Sequence, residues 1–439
     1  MQCSSRMGEK KLMSLVLVLA AMTLVIMYLN ISENSKATHR VIDLEEDQSE
    51  LDQSELDQSQ QLYIVGDMPP TPAVVKRDVG HYLCILHTNV VYIYAPEADS
   101  GILHCIMTRF GFLKDLFVTL PVNKRDSTNN RGYDDVRSTQ YLRPSGVTAS
   151  HRVYREETIN VFTQPARYDK EIMSKMFPED TRYISMLRLP IHRFAADFIY
   201  SRLDKHFNTT AEAESPKKYL DDPEYWESQK TTSHCTRNCM SAVLGFPLDG
   251  AMNTRDTQAA MDVIKQLDSD FALVLIYEYL DQSLVLLKRY MCWGVTDIMH
   301  YVGTTLLPRK ETLARLSTED HIRNFRRVNS MDYLVYDYFN KTLWRKIEAE
   351  GPGFHKEVKN FQNIQKEVAK YCRAAVGNWT SANHTVIAAS DWNKKFDFTR
   401  GMCYQFGRDR REWESLLKER YFSSKRRRPR GSKLPIINV

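Results

Sequence analysis

The stretch VVYIYAPEADSGILHCIMTRFG, Val90 to Gly111, has the layout of a phosphate site without the usual charge. A β-branched apolar run enters a short loop, and an apolar-periodic helix leaves it. Such a unit ordinarily offers backbone N–H groups and a lysine to a phosphate. This loop carries Pro96, Glu97 and Asp99, and no lysine or arginine stands between Val90 and Thr108. A second candidate is the carboxylate pair Glu278 and Asp281, which straddles the end of another apolar run. The pair could bind an acceptor or serve as a base; a helix cap beside a solvated residue explains it equally. Cys235 and Cys239 lack a second ligand pair at zinc spacing, so the pattern points to a disulfide or buried thiols and to no metal.

The elements that must position these residues alternate in type. Strand-like runs cover Val90–Tyr94, Phe117–Pro121, Arg182–Pro190 and Phe271–Leu280. Helical spacing follows over Ile102–Phe112, Ile191–Leu203 and Asp281–Trp293, and helical signals dominate beyond Glu311. Strands alternating with helices predict an α/β fold, a parallel sheet with helices on both faces. In doubly wound sheets ligands bind beyond the carboxyl ends of the strands. Two segments lie there: Tyr94–Ile102 and Arg188–Arg193.

The chain has 439 residues, of which 43% are hydrophobic and 26% charged, an ordinary globular balance. Its net charge is +5, and much of the excess sits in the tail Ser423–Lys433, SSKRRRPRGSK. The body is therefore close to neutral, which argues against a nucleic-acid partner. The run Leu12–Leu29 is 18 residues without a formal charge, long enough to span a bilayer as a helix. Arg6, Lys10 and Lys11 precede it, and the next base is Lys36, so the short N-terminus faces the cytosol. The predicted order is a cytosolic tail over 1–11, a transmembrane signal anchor over 12–29, a flexible stem over 30–80, a lumenal body over 81–420 and a basic tail over 421–439. The stem holds the acidic pentad repeat DQSELDQSELDQSQ, with too little apolar surface to offset the entropy of ordering. Sequons at Asn30, Asn208, Asn340, Asn378 and Asn383 agree with a lumenal body. Seven cysteines would be lumenal, where disulfides persist. An odd number leaves one thiol over, free or paired with another chain, so a homo- or hetero-dimer stays open.

Five stretches carry a family resemblance: EYLDQSLVLLKRYMCW (Glu278–Trp293), DYFNKTLWRKIE (Asp337–Glu348), RNCMSAVLGF (Arg237–Phe246), YISMLRLPIHRF (Tyr183–Phe194) and RFGFL (Arg109–Leu113). Over Tyr82 to Ala369 the chain resembles the galactose-3-O-sulfotransferase family, which includes galactosylceramide sulfotransferase. The resemblance implies a P-loop NTPase-like parallel sheet flanked by helices, with a helical C-terminal part, in a Golgi type II membrane enzyme. It also implies transfer of a sulfonate from 3′-phosphoadenosine 5′-phosphosulfate (PAPS) to the 3-hydroxyl of galactose on a glycolipid or glycoprotein glycan.

Anchored on Arg109–Gly111, the family's 5′-phosphosulfate loop falls on Tyr94–Ile102. Its two lysines meet Tyr94 and Glu97, its histidine meets Pro96, Ser100 keeps a hydroxyl and Gly101 keeps a small residue. The family's 3′-phosphate arginine falls on Arg188, able to chelate phosphate bidentately; a salt bridge at the sheet edge is the structural alternative. Arg193 matches a further family arginine, while the family serine is Ala196 here. A third motif, with a histidine two places before an arginine, meets Pro165–Asp169, where Arg167 stays and the histidine is lost. The resemblance thus assigns donor contacts to Ser100, Gly101, Arg188 and Arg193 and leaves the base unidentified. A unit charge about 4 Å from a phosphate is worth roughly 4 kcal/mol at an effective dielectric near 20, and glutamate for lysine reverses its sign. Two readings follow: a transferase with a remodelled donor loop, or a retained fold that binds a glycan or a partner sulfotransferase without transferring anything.

Overall fold

The computed structural model describes residues 84–95, 101–120, 159–164, 166–200, 215–229, 235–246, 257–300, 318–375 and 383–427. All of them belong to one compact unit, residues 75–439. The apolar run 12–29, the stem, the loop residues 96–100 and the sequons at Asn30, Asn208 and Asn378 lie outside the described residues. Among the described residues no helix is long and apolar enough to cross a membrane.

The centre is a parallel sheet of four strands, β1 (Val90–Ile93), β2 (Val161–Phe162), β3 (Arg182–Leu187) and β4 (Phe271–Ile276), in the order β2-β1-β3-β4. All four residues of β1 are fully buried, as a strand covered on both faces requires. Each expected strand–helix unit forms. Helix α1 (Ile102–Leu113) follows β1, and α2 (Lys170–Met176) follows β2. Helix α3 (Pro190–Tyr200) follows β3, and the three-residue turn Tyr277–Tyr279 leads from β4 into the helix over Leu280–Met291. Between α3 and β4 lie α4 (Ser215–Asp221), α5 (Pro223–Gln229), α6 (Cys239–Val243) and α7 (Thr257–Asp270).

The helix over Leu280–Met291 is α8, followed by α9 (Val295–Ile298), α10 (Glu319–Val328), α11 (Ser330–Ala349) and α12 (Gly353–Ala375). Two departures from the expected pattern follow. The segment 117–121 contributes one isolated parallel bridge, Val118 to Val161, because the short β2 is the strand that pairs there. The helical C-terminal part is interrupted by an antiparallel hairpin, β5 (His384–Ile387) and β6 (Phe396–Thr399), before α13 (Arg400–Phe406) and α14 (Arg410–Arg427). Helix α14 carries helical backbone into residues 421–427, the start of the expected basic tail.

Disulfides fix the unit at three places: Cys84–Cys292, Cys235–Cys239 and Cys372–Cys403. The first ties the entry to β1 to the end of α8 across 208 residues. The Cys235–Cys239 pattern is thus a disulfide, and Cys105 is the seventh, outside any disulfide. The sequon residue Asn340 sits inside α11, half-buried, with Thr342 buried. Asn383, at the turn into β5, is exposed.

Candidate active site

Beyond β1, the chain turns into α1 at Gly101, whose φ of +84° is a left-handed conformation that side chains disfavour. A Cβ added there would meet nothing within 4 Å. The first turn of α1 carries no acidic residue, so its dipole favours an approaching anion. Ser100, Pro96, Glu97 and Asp99 lie outside the described residues. One turn further in, His104 is buried, with Nδ1 3.0 Å from the Thr163 carbonyl. Burial and then the Arg410 charge hold its pKa well below the ordinary value, so the ring is neutral. Arg109 is structural: its Nη2 donates to the carbonyls of Thr296, Asp297 and Met299, and the guanidinium stacks 4.1 Å from the Phe406 ring. Burial lowers its pKa to about 10, against the pull of Asp297.

Beyond β3, Arg188 is only 2% exposed and lies 4.7 Å over the Tyr277 ring. It thus stands at the carboxyl end of β3, against the turn that follows β4. Arg193 is placed differently. It is fully buried one turn into α3, with Nη1 3.5 Å from Asp197 Oδ2. Its charge also reaches Asp332, whose pKa burial raises and Arg193 pulls back. Asp332 accepts from Met240 N, Ser241 N and Ser241 Oγ, so Arg193 sits in a polar knot joining α3, α6 and α11. Arg188 thus faces Tyr277 and Glu278, whereas Arg193 faces Asp197 and Asp332. Arg167 holds the Gly245 and Phe246 carbonyls at 3.1 and 2.8 Å, a role in chain packing.

The carboxylate pair separates. Asp281 accepts from Gln362 Nε2 at the start of α8. Glu278 points inward instead, with its side chain 8% exposed. Its Oε1 accepts from Leu189 N at 2.8 Å and lies 3.3 Å from His192 Nδ1, while Oε2 accepts from the Tyr336 hydroxyl at 3.2 Å. Burial pushes the Glu278 carboxyl up, but the His192 contact, the Leu189 N–H and the Arg188 charge bring it below its ordinary value. Ser283 fixes the turn that presents it: Oγ accepts from Ile276 N and donates to the Ile276 carbonyl. His192 and Tyr336 are the residues that sequence reasoning missed. His192 was visible four places after Arg188, whereas Tyr336 reaches the site only through the packing of α11 on β4.

A sequence model of the family described as Galactose-3-O-sulfotransferase matches residues 2–391. The chain belongs to this family. Among its relatives, Galactose-3-O-sulfotransferase 2 of Homo sapiens is 29% identical over 304 residues, 68% of this chain and 71% of the relative. Galactosylceramide sulfotransferase of Bos taurus is 25% identical over 307 residues, 69% of this chain and 68% of the relative. Galactose-3-O-sulfotransferase 3 of Mus musculus is 29% identical over 296 residues, 65% of this chain and 63% of the relative. The family assignment makes this chain a sulfotransferase by descent, and its span includes Gly101, Arg188, His192 and Glu278. A sulfotransferase has to hold an anionic donor and take a proton from an acceptor hydroxyl. At one edge of the sheet this chain offers the start of α1 at Gly101, a buried arginine and a carboxylate–imidazole contact. Among the described residues no cluster of His, Cys, Asp and Glu is arranged to hold a metal ion.

Proposed function

We propose that this protein is a Golgi-membrane sulfotransferase of type II topology that moves a sulfonate from PAPS to the 3-hydroxyl of galactose on a glycolipid or a glycoprotein glycan. One observation carries the reading. The paired parallel strands β1 and β3 bring the start of α1 at Gly101 and the buried Arg188 to the same edge of the sheet. A nucleotide with phosphates at both its 5′ and 3′ positions needs two such anchors. The residues fit that ligand at Gly101, a left-handed glycine at a helix start with open space where a Cβ would stand, and at Arg188, a permanent charge. When bound, PAPS would supply the activated sulfonate, with Gly101 and Ser100 on its 5′ side and Arg188 on its 3′ side.

The relatives' names speak for galactose and, in one case, for a galactose-bearing lipid as acceptor. The apolar run 12–29 and its flanking charges speak for the membrane anchor, and three disulfides suit an oxidising lumen. A second reading, a family member that binds a glycan or a partner sulfotransferase without transfer, is favoured by one feature. The stretch Val90–Thr108 lacks lysine and arginine and carries Glu97 and Asp99.

The test is a thermal shift of the lumenal part of the chain with 3′-phosphoadenosine 5′-phosphate, followed by transfer of labelled sulfonate to galactosides. A nucleotide at one hundred times its dissociation constant adds about 2.7 kcal/mol of stability. Binding with transfer supports the first reading. Absence of a shift at millimolar nucleotide overturns it in favour of the second.

A further inference from the structure

On α10 the exposed cations are matched by acids: Arg323 pairs with Asp320, and Arg327 with Glu224. Helix α12 is built otherwise. Its exposed face carries Lys356, Lys359, Lys366, Lys370 and Arg373, with Asn363 among them and Glu367 the one exposed acid on the helix. Steps of three and four residues put the five cations in one row. From Lys356 to Arg373 the row runs about 26 Å along the axis. The other acid of α12, Glu357, is turned inward and taken by Lys288 and Arg289.

Helix stability does not ask for this row. Lys366 and Lys370 are like charges one turn apart, an unfavourable pair. Lys356 stands near the N-terminal end, where the dipole disfavours a cation, and the first turn holds no acid to offset it. The hairpin beside Asn360 adds Lys394 and Lys395 but also Asp391 and Asp397, so the excess belongs to α12.

A row of unmatched cations fits a partner that carries its anions in a row. An anionic membrane fits less well, because helices that lie on membranes bury an apolar face among the lipids. That face of α12, with Phe354, Val358, Phe361, Ile364 and Val368, is spent on the core. Among the described residues no large apolar side chain of α12 is exposed. The row also has a direction. Glu357 meets Lys288 and Arg289 late in α8, whereas Gln362 meets Asp281 at its start, just past Glu278. Helix α12 therefore runs antiparallel to α8, and its row heads for the edge of the sheet where the site lies.

We propose that the row from Lys356 to Arg373 is a docking surface for a linear anionic glycan, a chain bearing sulfate or carboxylate groups along its length. The choice of a glycan rests on the lumenal placement proposed above, while the surface itself is independent of sulfonate transfer.

The experiment uses the full chain in a neutral detergent, with a fluorescent heparin octasaccharide as probe and anisotropy as readout. Wild type should bind it with an affinity that falls as salt rises, and should bind a heparin disaccharide at least about tenfold more weakly. The triple variant Lys359→Gln, Lys366→Gln, Lys370→Gln should lose at least about tenfold in octasaccharide affinity and show a flatter salt dependence. Lys175→Gln, Lys217→Gln, Lys265→Gln removes the same charge from scattered exposed positions and should stay within about twofold of wild type. No binding to wild type, equal losses in the two variants, or a disaccharide that binds as well as the octasaccharide overturns the surface. Phosphatidylserine doped into the micelles is the rival occupant. An octasaccharide that stays bound against it supports the proposal; displacement at equal anion concentration assigns the row to a membrane and overturns the glycan. Transfer to a simple galactoside, measured on the same preparations, should be unchanged in both variants. A wild type that binds the octasaccharide and transfers nothing overturns the transferase reading alone.

Discussion

The crossing from β1 to α1 and the crossing from β3 to α3 lie on adjacent strands, yet they are built in opposite ways. The first is a backbone device. A glycine at φ +84° opens the helix start, and its sequence carries carboxylates where a cation is expected. The second is a side-chain device, with Arg188 buried over Tyr277 and Glu278 locked among Leu189, His192 and Tyr336. Backbone N–H groups and a helix dipole are each worth a fraction of a full charge. Anion affinity should therefore be lopsided, resting on the β3 side and opposed by the loop on the β1 side.

The largest effect expected from this asymmetry is at Arg188. Arg188→Met should weaken 3′-phosphoadenosine 5′-phosphate by about 2–3 kcal/mol, or roughly 30–150-fold, as read by calorimetric titration. Unfolding of the unliganded variant controls for the loss of a buried group. Affinity held within about twofold would place the anchor on the β1 side and invert the comparison. Glu97→Lys probes the other side. It exchanges a repulsion for an attraction, and a gain of at least about tenfold in nucleotide affinity is expected, shrinking as salt is raised. Unchanged affinity would mean that Glu97 does not occupy the position of the family lysine.

The same contrast explains what was legible in the sequence. The strands β1, β3 and β4 announce themselves because a parallel strand covered on both faces is a continuous apolar run, VVYI and FALVLI being the clearest. Strand β2 has two residues, too few for any periodicity, and exists through its pairing with Val90 and Val91. The hairpin β5–β6 buries little more than Ile387 and Phe398, so its alternation is faint among helical signals. At the site, Arg188 was readable as a charge just past a strand. The inward turn of Glu278 was not, because it depends on Ser283 bonding back to Ile276 and on Tyr336 arriving from a distant helix. Spacing alone gave Glu278 and Asp281 equal standing; burial separates them.

A smaller effect is expected from Gly101→Ala. Open space around the position removes any clash, leaving the left-handed backbone as the cost, about 1–2 kcal/mol of stability in denaturant unfolding. Gly351, at φ +78° and equally open, serves as the control: Gly351→Ala should cost a similar amount with no change in nucleotide affinity. Loss of nucleotide affinity in Gly101→Ala alone would sharpen the contrast by showing that the backbone device contributes to binding. Equal behaviour of the two variants would reduce Gly101 to a turn residue.

The smallest expected effect is a change of slope with pH. Glu278 has its folded-state pKa depressed below the ordinary 4.5, so between the two values the unfolded chain binds the extra proton. Its contribution to stability is present above about pH 4.5 and is lost as pH falls through the folded value. Asp332 has the opposite sign, because burial raises its folded pKa and favours the protonated form. Glu278→Gln should therefore flatten the acid loss of unfolding free energy, and Asp332→Asn should steepen it, both measured by urea unfolding from pH 3 to 6. Slopes that shift in the same direction would show that Glu278, like Asp332, is governed by burial. In that case the charges of Arg188 and His192 would no longer set the β3 crossing apart.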